Sequence, residues 1–146
     1  MDVDLRRVQA GVADLVVEHN TVLQNGNILF ASGAPDSDFV YRDNLTPHNS
    51  YGVTSDAGAG MNTLNTYFPG SDFSKNVIVT AEFASLYPPS NYFPASLDKV
   101  GFVDLAGRNY RLASTSPYKN AASDGTDVGA DFEALTAALA QADPKP

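Results

Sequence analysis

The 146-residue chain contains no cysteine. It therefore cannot form a disulfide, a thiolate nucleophile or a cysteine-ligated zinc site. Histidine occurs only at His19 and His48, so a zinc site would need both of them together with carboxylates. The chain also has no P-loop, no dinucleotide-binding fingerprint and no serine-centred nucleophile elbow. These absences exclude most of the catalytic centres that short motifs reveal.

Basic residues are scarce as well. Nine lysines and arginines stand against 17 aspartates and glutamates, which gives a formal charge of −8 and a pI near 4.4. Such a surface repels phosphate groups, so we expect neither nucleic acid nor an anionic membrane as a partner. No apolar run approaches the roughly 18 residues that a membrane span needs. The first residues also lack the apolar core of a signal peptide.

What the chain does contain is a repeat with a spacing of 24 residues. Four identities mark it, and the apolar positions between them stay apolar: Asp14/Asp38, Val16/Val40, Asn20/Asn44 and Asn25/Asn49. Further on, Tyr-Phe-Pro occurs at residues 67–69 and 92–94, and this second offset places Val77-Ile78 opposite Phe102-Val103. Repeats at a constant spacing usually stack on one another, so the pattern predicts a solenoid.

Each repeat contains short apolar runs separated by corners. In the first repeat the runs are residues 15–17, 21–23 and 28–30, and the corners are Asn20 and Asn25-Gly26. Asparagine tolerates left-handed backbone geometry, and asparagines 20, 44 and 76 are predicted to bond to one another in an internal ladder. Residues 54–65 are interpreted as an inserted loop. A two-residue hairpin through Asn25-Gly26 is the rival interpretation of the first repeat.

These features predict an all-β, right-handed parallel β-helix of about four to five coils over residues 1–131. Residues 131–141 are predicted to form a short C-terminal capping helix, because Asp131 suits its first position and Phe132, Leu135 and Leu139 share one face. Residues 142–146 are predicted to be a frayed tail. An open N-terminal coil would expose strand edges, so self-association is a further expectation.

The run VVEHNTV at residues 16–22 resembles the strand–Asn–strand signature of right-handed parallel β-helix proteins of the pectate-lyase-like type. Residues 110–113, 116–118 and 124–131 are similar to the C-terminal end of many exported bacterial β-helix proteins. The resemblance implies an extracellular or cell-surface protein, and it implies that the chain is the C-terminal part of a longer solenoid. Proteins of this type range from polysaccharide lyases and glycoside hydrolases to passive surface proteins, so the fold leaves the activity open.

The repeat places two pairs of polar residues side by side, Glu18 with Arg42 and His19 with Asp43. Neighbouring strands lie about 4.8 Å apart, which brings these side chains into contact. A base beside a cation is what proton abstraction next to a sugar carboxylate requires. Glu18, Arg42 and Asp43 are therefore the candidate catalytic residues. The competing interpretation is an exposed cross-strand ion pair, worth less than about 1 kcal/mol.

Two further sets of residues are candidates for ligand binding. Asp124, Asp127 and Asp131 offer hard oxygen ligands for calcium, although their spacing departs from the D-x-D-x-D-G loop and equally suits turns and a helix cap. Tyr87 and Tyr92 lie in proline-rich loops. An exposed ring there would stack on a sugar, and a buried ring would anchor the loop.

The leading functional hypothesis is a non-catalytic extracellular segment that acts as a scaffold or as a glycan-contacting surface, with polysaccharide as its partner. It rests on the repeat, the acidic charge and the missing catalytic motifs. The alternative is a carbohydrate-active enzyme, either a polysaccharide lyase or a glycoside hydrolase, or a fragment of one. Its site would lie at Glu18, Arg42 and Asp43.

Overall fold

A computed structural model of the chain describes residues 7–9, 12–80 and 82–142. Within these ranges the strands are β1 (Arg7–Gln9), β2 (Val16–Glu18), β3 (Leu29–Ser32), β4 (Val40–Arg42), β5 (Leu45–Pro47), β6 (Val53–Ser55), β7 (Gly58–Ala59), β8 (Asp72–Ser74), β9 (Val77–Val79), β10 (Phe102–Asp104) and β11 (Asn109–Leu112). The α-helices are α1 (Met61–Tyr67) and α2 (Phe132–Ala142). Neither is long and apolar enough to cross a membrane.

The strands form four separate sheets of mixed orientation. Their orders are β1-β3-β6-β7, β2-β4-β8, β5-β9 and β10-β11. The pairings are parallel except between β6 and β7 and between β10 and β11, which are antiparallel. Every strand is two to four residues long, so each sheet contributes only a small face to the interior.

The prediction of a right-handed parallel β-helix with about four to five coils is wrong. The described strands belong to four small sheets, two of which contain an antiparallel pair, and helix α1 interrupts the order of strands. A solenoid needs a repeat that continues along the chain. Here the spacing changes after the second repeat, because Val40 of β4 pairs with Asp72 of β8.

Two of the local predictions beyond the second repeat are wrong for the same reason. Residues 54–65, interpreted as a loop, contain β7 and the first part of α1. Phe102 pairs with Leu112 inside an antiparallel hairpin rather than with a strand near Val77. Residues 1–6 and 10–11 of the predicted first coil, and residues 143–146 of the predicted tail, lie outside the described residues. Self-association through the N-terminal strand edge stays a prediction.

The 24-residue register of the first repeat is confirmed. Strands β2 and β4 pair in parallel, with Val16 opposite Val40 and Glu18 opposite Arg42. A corner follows each of these strands, and the corner residues His19, Asp43 and Lys75 adopt left-handed φ values of 52°, 58° and 57°. The left-handed residue is thus the one before the asparagine rather than the asparagine itself.

The predicted asparagine ladder is also confirmed. The side-chain amide of Asn20 donates to the Asn44 carbonyl oxygen at 2.9 Å, and that of Asn44 donates to Asn76 at 3.1 Å. Asn91 extends the ladder, because it accepts from the Asn76 amide at 2.9 Å. Buried polar groups need such partners, so the ladder satisfies the backbone at each corner while it links the three strands.

The interior consists of two apolar clusters. The larger cluster contains the aromatic rings of Tyr41 in β4, Phe39 just before β4 and Phe68 just after α1. Tyr41 stacks on Phe73 of the neighbouring strand β8 with ring centroids 5.1 Å apart. The second cluster is formed around these buried side chains: Leu45, Val77, Val100, Leu112, Tyr118, Ala122 and Val128. Because Tyr118, Ala122 and Val128 come from the loop before α2, this second cluster holds that loop against β5 and β9.

Helix α2 is confirmed to within one residue. The Asp131 carboxylate accepts from the backbone N–H groups of Glu133 and Ala134 at 3.0 and 2.8 Å, which satisfies the first turn. Leu135 and Leu139 remain 51% and 63% exposed. The helix contacts β11 mainly through Arg111, whose guanidinium donates to the Thr136 hydroxyl at 2.9 Å.

The buried tyrosines predict a loss of stability in alkali. Burial raises the pKa of Tyr41 well above its ordinary value of 10.0, with Tyr87 as the second cause, and burial raises the pKa of Tyr87 to about 12. The folded state therefore favours the neutral phenols. Their stabilisation is complete below the ordinary pKa and is lost as the pH rises from there toward the folded-state values.

We expect the free energy of unfolding, measured by urea titration, to fall between about pH 10 and pH 12. Tyr41→Phe should show a smaller fall and near wild-type stability at pH 7, because the Tyr41 hydroxyl has no hydrogen bond within the described part of the chain. Tyr51→Phe, at a ring that is 64% exposed, is the control. Parallel pH curves for wild type and Tyr41→Phe would contradict this account.

Candidate functional site

The predicted catalytic residues do come together at the end of β2 and β4. Arg42 Nη2 lies 3.0 Å from Glu18 Oε2, and Arg42 Nε lies 3.8 Å from Asp43 Oδ2. Asp72 from β8 completes the set, with its Oδ2 atom 3.5 Å from Arg42 Nη1. The hydrogen bond to Glu18 is the largest cause of the raised pKa of Arg42. The guanidinium is thus engaged by the protein's own carboxylates.

Asp43 is fully buried and is held by a distant loop. Its Oδ1 atom accepts from the Ser123 backbone N–H at 2.7 Å, and its Oδ2 atom accepts from the Ser123 hydroxyl. The Asp43 backbone carbonyl accepts from the Gly129 N–H at 2.8 Å. An ionised carboxylate removed from water needs partners of this kind, so the loop that carries Ser123 and Gly129 completes the environment of Asp43.

His19 lies between the corner that contains Asp43 and the loop that carries Ser123 and Gly129. Its Nε2 atom is 3.8 Å from Asp43 Oδ2, as the repeat predicted, and 3.4 Å from Asp124 Oδ2. Its Nδ1 atom is 3.3 Å from the carbonyl oxygen of Gly129. The imidazole is 25% exposed. The contacts with Asp124 and Gly129 could not be predicted from the repeat, because they join residues more than 100 positions apart.

The three aspartates considered for calcium do not converge. Among the described residues no group of three or more His, Cys, Asp or Glu side chains is arranged to hold a metal ion. The Asp124 carboxylate accepts from the Thr126 hydroxyl and backbone N–H at 2.7 and 2.9 Å, and these two bonds are the main cause of its lowered pKa. Asp127 pairs with Lys119, and Asp131 caps α2. Asp124 and Asp131 thus act as turn and cap residues, whereas Asp127 joins its segment to residues 119 and 120.

Tyr87 and Tyr92 anchor loops in this structure. Tyr87 is 5% exposed, its ring stacks on Phe73, and its hydroxyl accepts from the Val53 N–H at 3.0 Å. The Tyr92 hydroxyl donates to the Ala121 carbonyl at 2.9 Å. Its ring packs against Tyr118 with centroids 5.5 Å apart. The buried Tyr87 ring offers no face to a sugar, whereas the Tyr92 ring is only partly buried, and stacking of a sugar on it stays a prediction.

A groove of about 390 Å³ lies beside the β10–β11 hairpin, and Asp127 and Asp131 are the only predicted site residues that line it. Its walls are the β10–β11 hairpin, residues 119–131 and the first turn of α2. Two aromatic residues line it, Tyr110 and Phe132, together with charged side chains of both signs: Arg111, Lys119, Asp127, Asp131 and Glu133. The groove exists only because the second apolar cluster packs the loop beside the hairpin. In the sequence, residues 110–113 stood out only for their resemblance to the end of β-helix proteins, and no pattern indicated that residues 119–131 would lie across from them.

The polar groups of the groove are held in defined positions. Lys119 Nζ lies 2.6 Å from Asp127 Oδ2, and Asp127 also accepts from the Asn120 N–H at 3.0 Å. The Arg111 guanidinium sits 5.6 Å from the centre of the Phe132 ring. It also donates to the Thr136 hydroxyl. Positions fixed in this way reduce the entropy that a ligand must remove on binding.

No protein-family model, curated protein or solved structure matches the chain. The resemblance to pectate-lyase-like proteins therefore stays a hypothesis about the sequence, and the function has to be inferred from the groove and the polar cluster.

Proposed function

We propose that the chain is a non-catalytic carbohydrate-binding protein whose groove beside Tyr110 takes an oligosaccharide. The observation that supports this most is the composition of the groove, which combines aromatic rings with paired charges. Its volume of about 390 Å³ falls within the roughly 300–1,000 Å³ of small-molecule sites. A sugar presents both C–H faces and hydroxyl groups, so it needs both kinds of wall.

Tyr110 is the residue we assign to the apolar face of the sugar. Its ring is half-buried and meets Phe102 edge to face, with centroids 5.7 Å apart. Phe102 therefore supports the ring from one side. Among the described residues no hydrogen bond to the Tyr110 hydroxyl is present. Phe132 is less available, because the Arg111 guanidinium covers its ring.

Lys119 and Asp127 are the residues we assign to the sugar hydroxyls. Their side chains are 35% and 33% exposed, so both can reach a ligand without breaking their mutual contact. An ammonium group donates and a carboxylate accepts, and adjacent hydroxyls of a sugar can do both. Bonds that involve a charged partner are stronger than bonds between neutral groups. The pair thus offers a directional site opposite the aromatic wall.

The polar cluster at Glu18, Arg42 and Asp43 supports a binding role over catalysis. A catalytic base must be able to reach the substrate proton, but Asp43 is 0% exposed and both of its oxygens accept from Ser123. Arg42 already faces three carboxylates. The enzyme hypothesis would require these contacts to open. An extracellular or cell-surface location belongs to the proposal, since polysaccharides are found there.

Binding to immobilised oligosaccharides, followed by titration calorimetry with the best ligand, tests the proposal. Tyr110→Ala should weaken binding about tenfold, because loss of one aromatic contact costs about 1.4 kcal/mol. Tyr51→Ala removes a ring that is 64% exposed and is not part of the groove lining, and it should leave the affinity unchanged. Equal effects of the two substitutions, or no binding to any oligosaccharide, would contradict the proposal.

A further inference from the structure

We infer that Asp43 is a positioning residue for the groove, which it does not line, and that it acts by holding both ends of the segment 123–129. This inference rests on the carbohydrate-binding function proposed above. It assigns to a predicted catalytic residue a different role, which is to keep one wall of the binding groove in place.

The two ends of the segment are bound by different parts of Asp43. The carboxylate accepts from the backbone N–H and the hydroxyl of Ser123, and the backbone carbonyl accepts from the N–H of Gly129. The four residues 125–128 between these ends all line the groove. One buried residue thus fixes both ends of a wall that it does not itself form.

The carboxylate side chain distinguishes Asp43 from the residues at the two equivalent corners. His19 and Lys75 occupy the equivalent left-handed positions, but neither has a carboxylate that could accept two bonds from one residue. Aspartate also tolerates left-handed geometry better than most residues. The basic side chains that face the carboxylate are Arg42, through Nε, and His19, through Nε2, each 3.8 Å from Oδ2.

Close packing at Gly129 reinforces the second end. A Cβ atom there would overlap the Thr21 hydroxyl, and the φ angle of Gly129 is 94°. The Thr21 hydroxyl in turn accepts from the Ala130 N–H at 3.0 Å. The direction in which the segment leaves Gly129 is therefore fixed. Loss of the Ser123 end would free the wall on that side, and only the fraction of molecules with the wall in place would bind ligand at full affinity.

The experiment compares wild type and four variants by calorimetry with the best oligosaccharide and by amide hydrogen exchange of residues 124–128. Ser123→Ala removes the hydroxyl that donates to Asp43, at a residue that is itself exposed. Asp43→Asn replaces one acceptor oxygen with a donor while it retains the left-handed preference. Both should bind about five to ten times more weakly and exchange faster. Ser123→Thr keeps a hydroxyl and should restore both properties. Ser90→Ala is the control, because Ser90 is exposed and its side chain makes no hydrogen bond to any residue that the structure describes.

Unchanged amide hydrogen exchange of residues 124–128 in Ser123→Ala and Asp43→Asn would overturn the inference. The order of the segment would then not depend on the contact between Asp43 and Ser123. Faster exchange with unchanged affinity would also overturn it, while the proposed binding function would stand. Wild-type protein that binds no oligosaccharide would refute the proposed function, and the inference with it. Weaker binding and faster exchange, with restoration in Ser123→Thr, would support the inference.

Discussion

Replacing Asn76 with alanine is expected to lower the free energy of unfolding by about 4 kcal/mol, whereas Asn20→Ala should cost about 1 kcal/mol. Asn76 is 0% exposed. Its side-chain oxygen accepts from the backbone N–H and the side-chain amide of Asn44 at 3.0 and 3.1 Å. Its amide donates to the Tyr41 carbonyl and to Asn91, each at 2.9 Å. Truncation therefore leaves several buried groups without partners.

Asn20 provides the matched comparison because it occupies the partly exposed end of the same ladder. Its amide donates to the Glu18 carbonyl and to Asn44 at 2.8 and 2.9 Å, and water can replace these bonds after truncation. Urea titrations monitored by circular dichroism would give both free energies. Equal costs at the two positions would show that the ladder does not stabilise the fold through its buried members.

Gly52→Ala is expected to cost about 4 kcal/mol, made up of steric overlap and an unfavourable left-handed backbone. A Cβ atom at Gly52 would overlap the Tyr87 hydroxyl and the His48 ring, and the φ angle is 55°. Both neighbours are buried, at 5% and 2% exposure, so neither ring can move aside. Displacement of the Tyr87 hydroxyl would also break the hydrogen bond that it accepts from the Val53 N–H.

Gly70→Ala separates the two contributions. Gly70 has a φ angle of 76°, and a Cβ atom there would meet nothing within 4 Å. This variant carries only the backbone cost of about 1–2 kcal/mol. The difference between the two glycine variants, measured by urea titration, then reports the overlap alone. A Gly52→Ala protein no less stable than Gly70→Ala would contradict the packing described around Tyr87 and His48.

The first repeat could be predicted because its chemistry is local. Corners that share an asparagine 24 residues apart bring Val16 beside Val40 and Asn20 beside Asn44, and no information from the rest of the chain is needed. The continuation failed because an insertion changes the spacing before β8. Helix α1 was missed because its sequence, MNTLNTY, has little helix propensity. It forms where burial of Leu64 and Tyr67 outweighs that propensity.

In the candidate site, too, the contacts within the repeat could be predicted and the contacts between distant segments could not. The pairs Glu18–Arg42 and His19–Asp43 follow from the repeat and are present. The contact between Asp43 and Ser123 joins residues 80 positions apart, and no periodicity relates them. The groove depends on that contact and on the packing of Val128 against the second apolar cluster. Tyr110 therefore became a candidate only when the opposite wall was known.

NMR mapping of oligosaccharide binding on the isotope-labelled chain would show directly whether the groove beside Tyr110 binds the ligand. A groove that binds carbohydrate predicts chemical-shift changes concentrated at Tyr110, at Lys119 and in residues 125–130, with little change around the exposed Tyr51. Shift changes confined to Glu18, Arg42 and their neighbours on β2 and β4 would contradict the account and would place the ligand on the polar cluster instead.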